Sequence, residues 1–235
     1  MERPLNNKVC LVTGATGGVG QDVVARLRTE GAAVFGAHSG RRIPPESPAG
    51  GWIPMAADLT DEDSVRGLFD DVIQRAGALH VVVHTVGGFS ATGPLAETAL
   101  GDWERMMTLN LRSAFLCTRE SLRRMHGMPY GRIILLGAMS GIAIPAGRAA
   151  YGIAKAGVHL LSETASRETR GTGVTVNVIA PGIIDTPDNR ASMPEAQHSE
   201  WVHPSQIADT ILWLCDPDNA VSGSVIRLPG GARND

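Results

Sequence analysis

Short runs of β-branched and other apolar residues alternate with longer amphipathic stretches along the whole chain, and this alternation constrains the fold most strongly. The apolar runs lack interspersed polar residues, which is typical of parallel strands buried on both faces. This order predicts an α/β fold with a doubly wound, parallel seven-stranded sheet and helices on both faces. The predicted strands are 8–13, 33–37, 53–57, 79–86, 131–137, 174–180 and 224–228, and the predicted helices are 19–30, 61–76, 101–127, 149–171 and 204–216.

No shift in composition marks a linker, so we expect a single domain over residues 1–235. The Pro/Gly-rich stretch 40–51 is too short to separate two domains and is interpreted as a surface loop. The segment 183–203 shows no periodicity and is predicted to be irregular. With 43% hydrophobic residues, the chain can bury a substantial core.

Composition also narrows the classes of partner. A formal net charge of −3 argues against a surface for nucleic acid or anionic membrane. The amino-terminal sequence MERPLNNK lacks the apolar core of a signal peptide, and no apolar run approaches the roughly 18 residues of a membrane span. Cys10, Cys117 and Cys215 lie in apolar runs without zinc-ligand or CxxC spacing, so we expect buried reduced thiols and no metal. These features predict a cytoplasmic protein.

A glycine-rich loop with the sequence TGATGGVG, residues 13–20, directly follows the first predicted strand and opens the first helix. Gly14 permits a tight turn, Gly18 lets the backbone approach a pyrophosphate, and Gly20 allows close packing of helix on strand. The free N–H groups and the positive dipole end of the helix favour phosphate there. This context predicts a dinucleotide site on a Rossmann fold, and a glycine-rich turn without a ligand is the alternative. The loop residues expected to bind are Gly14, Thr16, Gly17, Gly18, Val19 and Gly20.

Further cofactor contacts are expected where other strands end. Asp58 and Leu59 follow the third strand, where Asp58 can accept from the adenine amino group or can instead cap the helix that begins near residue 61. Val86 and Gly87 end the fourth strand, where a small, flexible turn can pass beneath the cofactor.

The second strand is followed by residues 37–42, AHSGRR, which lack the carboxylate that usually binds the ribose hydroxyls of NAD. Ser39 and Arg41 suit a 2′-phosphate through charge-assisted hydrogen bonds. We therefore expect NADP(H) in preference to NAD(H), which remains possible. A free surface loop is the alternative interpretation of this stretch.

Tyr151 and Lys155 are four residues apart at the start of a predicted helix, so their side chains emerge from one face. An ammonium beside a phenol, with the positive nicotinamide nearby, is expected to lower the phenol pKa from about 10, which would make Tyr151 a general acid or base near neutral pH. Lys155 can also hold the nicotinamide ribose. Such a pair is common on helices, so its meaning depends on the rest of the chain.

Tyr151 and Lys155 occur together with the glycine loop, Asp58 and further motifs in the order that is typical of one family. The chain resembles the short-chain dehydrogenase/reductase family over essentially its whole length. The resemblance implies an NAD(P)(H)-dependent oxidoreductase that transfers a hydride to a small carbonyl or conjugated imine-like substrate. It implies that Tyr151 donates the proton with help from Lys155, and that the chain forms a homo-oligomer, a dimer or tetramer. The further motifs follow Asp58. Asn110 would hold a water of the proton relay, and the residues that would line the nicotinamide side are Pro181, Gly182, Ile184 and Thr186.

The chain departs from the family pattern thirteen residues before the tyrosine, where the family has a Ser that hydrogen-bonds the substrate oxygen. Ala138 occupies this position and cannot donate, and Ser140 could replace the missing hydroxyl only if the loop bulges. The second half of the chain is similar to quinonoid dihydropteridine reductases, which also lack that Ser, so this activity is the alternative function. A catalytically weak dinucleotide-binding sensor is the second alternative.

Several residues have weaker indications of function. His84, at the end of the fourth predicted strand, is interpreted as a buried, hydrogen-bonded histidine, and His159 as a packing residue. Substrate selection is expected in the segment 183–203, although this segment could instead pack against a neighbouring subunit. Its candidate residues are Asn189, Arg190, Met193 and Trp201.

Overall fold

A computed structural model describes residues 4–40 and 51–231, and its described strands form a seven-stranded parallel sheet of order β3-β2-β1-β4-β5-β6-β7. The chain builds outward from the centre to one edge and then returns to build the other, so the sheet is doubly wound. The strands are β1 Val9–Thr13, β2 Ala33–His38, β3 Ile53–Ala56, β4 Val81–His84, β5 Gly131–Leu136, β6 Val174–Pro181 and β7 Val225–Leu228. The helices are α1 Gly18–Thr29, α2 Glu62–Ala76, α3 Leu100–Met106, α4 Ser113–Arg124, α5 Ala149–Glu168, α6 Pro187–Ser192 and α7 Pro204–Leu214.

Each face of the sheet carries its own apolar core, as expected for strands buried on both sides. Along β1, Val9 and Leu11 pack on the face covered by α2, α4 and α5, whereas Cys10 and Val12 pack on the face covered by α1 and α7. Alternate residues of an extended strand point to opposite faces, so an uninterrupted apolar run supplies both cores. The prediction of an α/β sheet with helices on both faces is confirmed.

The predicted elements are present with ends shifted by up to three residues, apart from two regions. The helix predicted over 101–127 is the first difference, because a π-helical turn at Met107–Arg112 separates α3 from α4. The buried side chain of Asn110 lies in this turn and bonds to the loop after β4, a tertiary contact that helical periodicity does not reveal.

The segment 183–203 is the second difference, since it is ordered rather than irregular. Thr186 accepts a hydrogen bond from the N–H of Asn189 and caps α6, whose first residue is Pro187. Ile184 forms a parallel bridge with Val202. A six-residue helix is too short to produce a recognisable apolar period, which explains why the sequence pattern missed it.

Two further observations bear on the sequence-based expectations. Cys10, Cys117 and Cys215 are free and buried, as predicted. Within residues 4–40 and 51–231, no helix combines the length and the apolar character needed to cross a membrane.

Candidate active site

The candidate site lies at the carboxyl edge of the sheet. The loops after β1, β3, β4, β5 and β6 all leave from this edge because the strands are parallel. These loops carry Gly14, Asp58, Gly87, Ala138 and Gly182, respectively. The doubly wound topology thus brings together motifs that are far apart in the sequence.

The glycine loop between β1 and α1 is closely packed. Gly14 has a φ of +70°, which favours glycine, and its carbonyl accepts from the N–H of Gly17 at 2.9 Å. A Cβ on Gly20 would lie 2.1 Å from the Gly14 oxygen, so a side chain there cannot be accommodated without moving the loop. A Cβ on Gly18 would lie 2.8 Å from Cγ2 of Thr186, so Thr186 packs directly against Gly18. A tight turn of small residues at a helix N-terminus fits a pyrophosphate.

Asp58 is exposed after β3, and its carboxylate accepts from both the N–H and the hydroxyl of Thr60, at 2.9 and 2.7 Å. These hydrogen bonds hold the pKa of Asp58 below its usual range. The N-cap of α2 is Asp61, which accepts from the N–H of Ser64 at 2.7 Å. The alternative interpretation of Asp58 as the helix cap is therefore wrong.

The remaining residues at this end of the predicted cofactor site differ in exposure. The side chain of Leu59 is buried in the core, so only its backbone can face a ligand. Ser39 is exposed directly after β2, and Arg41 lies outside the described residues.

Lys155 is buried, with 4% of its surface exposed, and its Nζ donates to the carbonyl oxygen of Leu136 at 2.8 Å. Burial lowers the pKa of Lys155 to about 8. A Cβ on Gly87 would lie 3.0 Å from this Nζ and 2.7 Å from Oδ1 of Asn110. The structure thus brings Lys155, Gly87 and Asn110 together, and glycine is needed for so close an approach.

Both hydrogens of the Asn110 side-chain amide are bonded within the protein. Nδ2 donates to the carbonyl oxygens of Gly88 and Met106, both at 3.0 Å, while Oδ1 accepts from the N–H of Gly88 at 3.1 Å. Both amide hydrogens are used and only 1% of the residue is exposed, so the side chain has no donor left for a water. Its amide instead ties the loop after β4 to the π-helical turn.

Tyr151 is half-buried in the first turn of α5, with its ring edge-on to Phe89 at a centroid distance of 5.2 Å. Burial raises the pKa of Tyr151 to about 12, and the charge of Arg148 partly opposes this shift. Without the cofactor, Lys155 does not lower this pKa, and the expectation for the cofactor-bound site stays a prediction. The Nζ of Lys155 lies 6.0 Å from the tyrosine ring centroid and hydrogen-bonds to a backbone carbonyl instead.

Ala138 is buried in the loop after β5, and its N–H is directed at Nε2 of His159 at 3.5 Å. The imidazole packs closely below this loop, since a Cβ on Gly137 would lie 2.4 Å from the same nitrogen. His159 is therefore a buried packing residue, as predicted. Ser140 lies in a single 3₁₀ turn at Met139–Gly141 that follows Ala138.

His84 is buried at the end of β4 and links three elements, which confirms the prediction of a hydrogen-bonded histidine. The Ser113 hydroxyl donates to the carbonyl of Leu109 at 2.6 Å, so it must accept from Nε2–H of His84 at 3.3 Å. Nδ1 then accepts from the Thr13 hydroxyl at 3.0 Å. Burial and the nearby Lys155 ammonium lower the pKa of His84 to about 3, so this network holds a neutral imidazole.

Pro181 ends β6, and the loop that follows begins with Gly182, whose N–H donates to the Leu228 carbonyl at 2.8 Å. Beyond it, Asn189 Nδ2 donates to the Ile184 carbonyl at 2.8 Å. The other residues predicted to select substrate also have contacts within this segment. Arg190 pairs with Asp185, the Met193 carbonyl lies 2.9 Å from Nε2 of His198, and Trp201 packs against the His198 ring.

Phe89 and Arg148 were missed by the sequence analysis. The Arg148 guanidinium carbon lies 5.1 Å from the centroid of the Phe89 ring, and that ring contacts Tyr151. The position of Arg148 three residues before Tyr151 was a usable signal, because residues three apart around a helix start are neighbours. Phe89, by contrast, comes from a different loop and gave no such signal.

Comparison with known proteins identifies the family. The short chain dehydrogenase family matches residues 8–197 of this chain, which includes the glycine loop, Tyr151 and Lys155. The chain belongs to the short-chain dehydrogenase/reductase family. Its sequence is 32% identical to cis-4-hydroxycyclohexanecarboxylate dehydrogenase of Sinomonas cyclohexanicum, over 95% of this chain and 96% of that protein. It is 30% identical to the 3-oxoacyl-(acyl-carrier-protein) reductase FabG of Vibrio cholerae, over 97% and 98% of the two chains.

Solved structures of family members superpose over nearly the whole chain. NAD⁺-bound xylitol dehydrogenase has a TM-score of 0.87 at 25% identity, covering 97% of this chain and 99% of the other. ElxO with NADP bound has the same TM-score and identity, covering 95% and 98%. This short-chain dehydrogenase/reductase is thus an NAD(P)-dependent oxidoreductase that acts on small molecules.

Proposed function

We propose that this chain is an NADPH-preferring reductase that adds a hydride to a carbonyl or conjugated imine-like substrate, with Tyr151 as the proton donor. The observation that carries the proposal is the placement of Tyr151 and Lys155 in the first two turns of α5, beside the loop after β4. When bound, the nicotinamide cofactor supplies the hydride. The protein holds cofactor and substrate in place and provides the proton.

The protonation state of Tyr151 supports its role as a donor. With a pKa of about 12 in the chain alone, the phenol carries its proton at neutral pH and can give it to a developing oxyanion. Lys155 is proposed to hold the nicotinamide ribose, and its buried ammonium favours negative charge on the phenolic oxygen once the proton has left. Asn110 is proposed to act by positioning the Gly87–Gly88 turn rather than through a free amide.

The cofactor is proposed to lie along the carboxyl edge of the sheet. NADP(H) is favoured because residues 38–40, HSG, contain no carboxylate and Arg41 follows them. On this proposal, Arg41→Gln raises KM for NADPH and leaves KM for NADH unchanged. The residues proposed to bind the cofactor are Gly14, Thr16, Gly17, Gly18, Val19, Gly20, Ser39, Arg41, Asp58, Leu59, Val86, Gly87, Tyr151, Lys155, Pro181, Gly182, Ile184 and Thr186.

A carbonyl substrate is favoured by the relatives, whose names describe a hydroxycyclohexanecarboxylate dehydrogenase and 3-oxoacyl reductases. Ala138 favours the second candidate substrate, a quinonoid dihydropterin. A conjugated ring can take up the hydride without a protein hydroxyl that hydrogen-bonds to a substrate oxygen. A dinucleotide-binding sensor with little turnover is the third possibility. Intact Tyr151 and Lys155 argue against it.

The assembly and compartment are proposed on separate grounds. Phe115 on α4 and Leu160 on α5 expose large apolar surface, which supports a homo-oligomer, a dimer or tetramer, covering this side of the sheet. Three buried free thiols support a reducing compartment, the cytoplasm. We also propose that residues 1–235 form one domain.

The test is a steady-state assay that follows the decrease in absorbance of NADPH or NADH. The substrates are a panel of small ketones and quinonoid dihydropterin. Turnover of ketones supports the proposal, turnover of the pterin alone supports the second candidate, and cofactor binding without turnover supports the sensor. Tyr151→Phe should lower kcat by about a hundred- to ten-thousandfold with cofactor affinity retained. An unchanged kcat in this variant would contradict the assignment of the proton donor.

A further inference from the structure

We propose that Arg148 binds an anionic group of the substrate, so that the substrate is a carbonyl compound carrying a carboxylate. This inference rests on the proposed function, because it names the substrate class of the same site. Arg148 immediately precedes α5, and its side chain makes no capping hydrogen bond with the helix. The guanidinium is therefore not committed to the helix start.

The position of Arg148 relative to the proton donor is fixed by two aromatic contacts. Its guanidinium carbon lies 5.1 Å from the Phe89 ring centroid. The Phe89 ring lies 5.2 Å from the Tyr151 ring in a perpendicular arrangement. Phe89 therefore contacts both Arg148 and Tyr151, and the charge of Arg148 acts on the phenol.

The charge of Arg148 is not balanced locally. Among the described residues, Arg148 forms no ion pair with a carboxylate, whereas Arg105 and Arg190 pair with Asp102 and Asp185. The two segments that meet here, 85–96 and 138–152, contain no Asp or Glu, and Arg148 is their single charged residue. Glu97 follows the first segment, and Arg105, which donates to the Ser90 hydroxyl at 3.3 Å, is paired with Asp102, so Arg148 is the cation at this place that has no carboxylate partner among the described residues.

Ala138 explains why such an anchor is needed. Without the family hydroxyl, the substrate carbonyl has fewer contacts to fix its orientation, so contacts elsewhere on the substrate must supply it. A guanidinium binds a carboxylate through paired, charge-assisted hydrogen bonds of defined geometry. Phe89, with 54% of its surface exposed, offers an apolar face for the carbon chain between the carboxylate and the carbonyl.

The kinetic test compares levulinate with methyl levulinate, which share one ketone but differ in charge. With NADPH, the wild type should prefer levulinate in kcat/KM, and Arg148→Gln should lower kcat/KM for levulinate by roughly ten- to a hundredfold. The same variant should lower kcat/KM for the ester by a much smaller factor, because only the carboxylate forms an ion pair and paired hydrogen bonds with the guanidinium, whereas the effect of Arg148 on Tyr151 is common to both substrates. Arg148→Lys should recover part of the loss. Arg170 is exposed beyond the other end of α5, and Arg170→Gln is the matched control, which should change kcat/KM for neither substrate.

A binding test separates this inference from the proposed function. Calorimetric titration of the NADP⁺-loaded protein with hexanoate and with hexanamide requires no turnover. The wild type should bind hexanoate more tightly, and Arg148→Gln should remove the difference. Equal binding of both probes by the wild type, or equal losses for both substrates in the variant, would overturn the role of Arg148. If the protein turns over no substrate but still binds hexanoate more tightly than hexanamide, the proposed reductase function is wrong and the role of Arg148 stands.

Discussion

Ala138 carries no group that can hydrogen-bond a substrate oxygen, and its N–H is directed at His159 rather than at the space beside Tyr151. Tyr151, the proposed proton donor, therefore lacks the hydroxyl that the short-chain dehydrogenase/reductase family normally places at position 138. A methyl side chain in place of a hydroxymethyl side chain changes which substrates can be oriented for reaction.

Replacing Ala138 by Ser tests this point at a single residue. We expect Ala138→Ser to raise kcat/KM for a neutral ketone by about ten- to a hundredfold, since one correctly placed donor contributes on this order. Ser140→Ala is the matched variant, and it should leave the rate unchanged if Ser140 serves only the turn at Met139–Gly141. Steady-state kinetics with NADPH measures both, and a loss of activity in Ser140→Ala would assign the missing role to Ser140.

At the scale of elements, the first strand, glycine loop and first helix act as one unit. Close approach of Gly20 to the Gly14 carbonyl lets α1 begin directly beside β1, with its N-terminus at the carboxyl edge of the sheet. A helix that started farther from the strand would not present its N–H groups at the same place.

Two glycine-to-alanine substitutions in helices should therefore change the free energy of unfolding in opposite directions. Gly20→Ala places its Cβ against backbone, so we expect a loss of at least about 1–3 kcal/mol in the free energy of unfolding and weaker cofactor binding. Gly67→Ala lies on the exposed side of α2, where a Cβ meets nothing within 4 Å. It should raise the free energy of unfolding by about 0.5–1 kcal/mol. Urea unfolding measures both, and destabilisation by Gly67→Ala would show that the helix surface is not open there.

At the scale of the whole molecule, neutral histidines buried around the sheet make the fold sensitive to acid. Burial lowers the pKa of His84 to about 3 and of His159 to about 4, and it also lowers that of His80. Between these values and the unfolded pKa of about 6.5, the unfolded chain binds more protons than the folded chain. Stability therefore rises with pH in this window and falls on acidification below about 6.5.

The expected slope below pH 6.5 is about 1.4 kcal/mol of unfolding free energy per pH unit for His84 and for His159. His84→Gln removes one titrating group, so its unfolding free energy between pH 6 and pH 5 should fall less steeply by about this amount. Chemical denaturation at a series of pH values measures the slope, which is independent of any constant loss of stability in the variant. His126→Gln is the surface control. An identical slope in His84→Gln and wild type would show that His84 is already protonated in the folded chain.

Apart from the break between α3 and α4 and the short helix α6, the sequence alone determined the strand-and-helix order, the doubly wound sheet and the order of the site motifs. These are local properties, since apolar runs, glycine turns and residue spacing act over a few neighbouring positions. It also indicated that His84 would be buried and hydrogen-bonded.

The tertiary structure decided what individual side chains contact. Both amide hydrogens of Asn110 are donated to backbone carbonyls, and Lys155 donates to the Leu136 carbonyl. Burial raises the pKa of Tyr151. The tertiary structure also brought Phe89 and Arg148 together from separate loops. The physical reason is that burial and partner choice depend on residues distant in the chain, which periodicity and spacing do not encode.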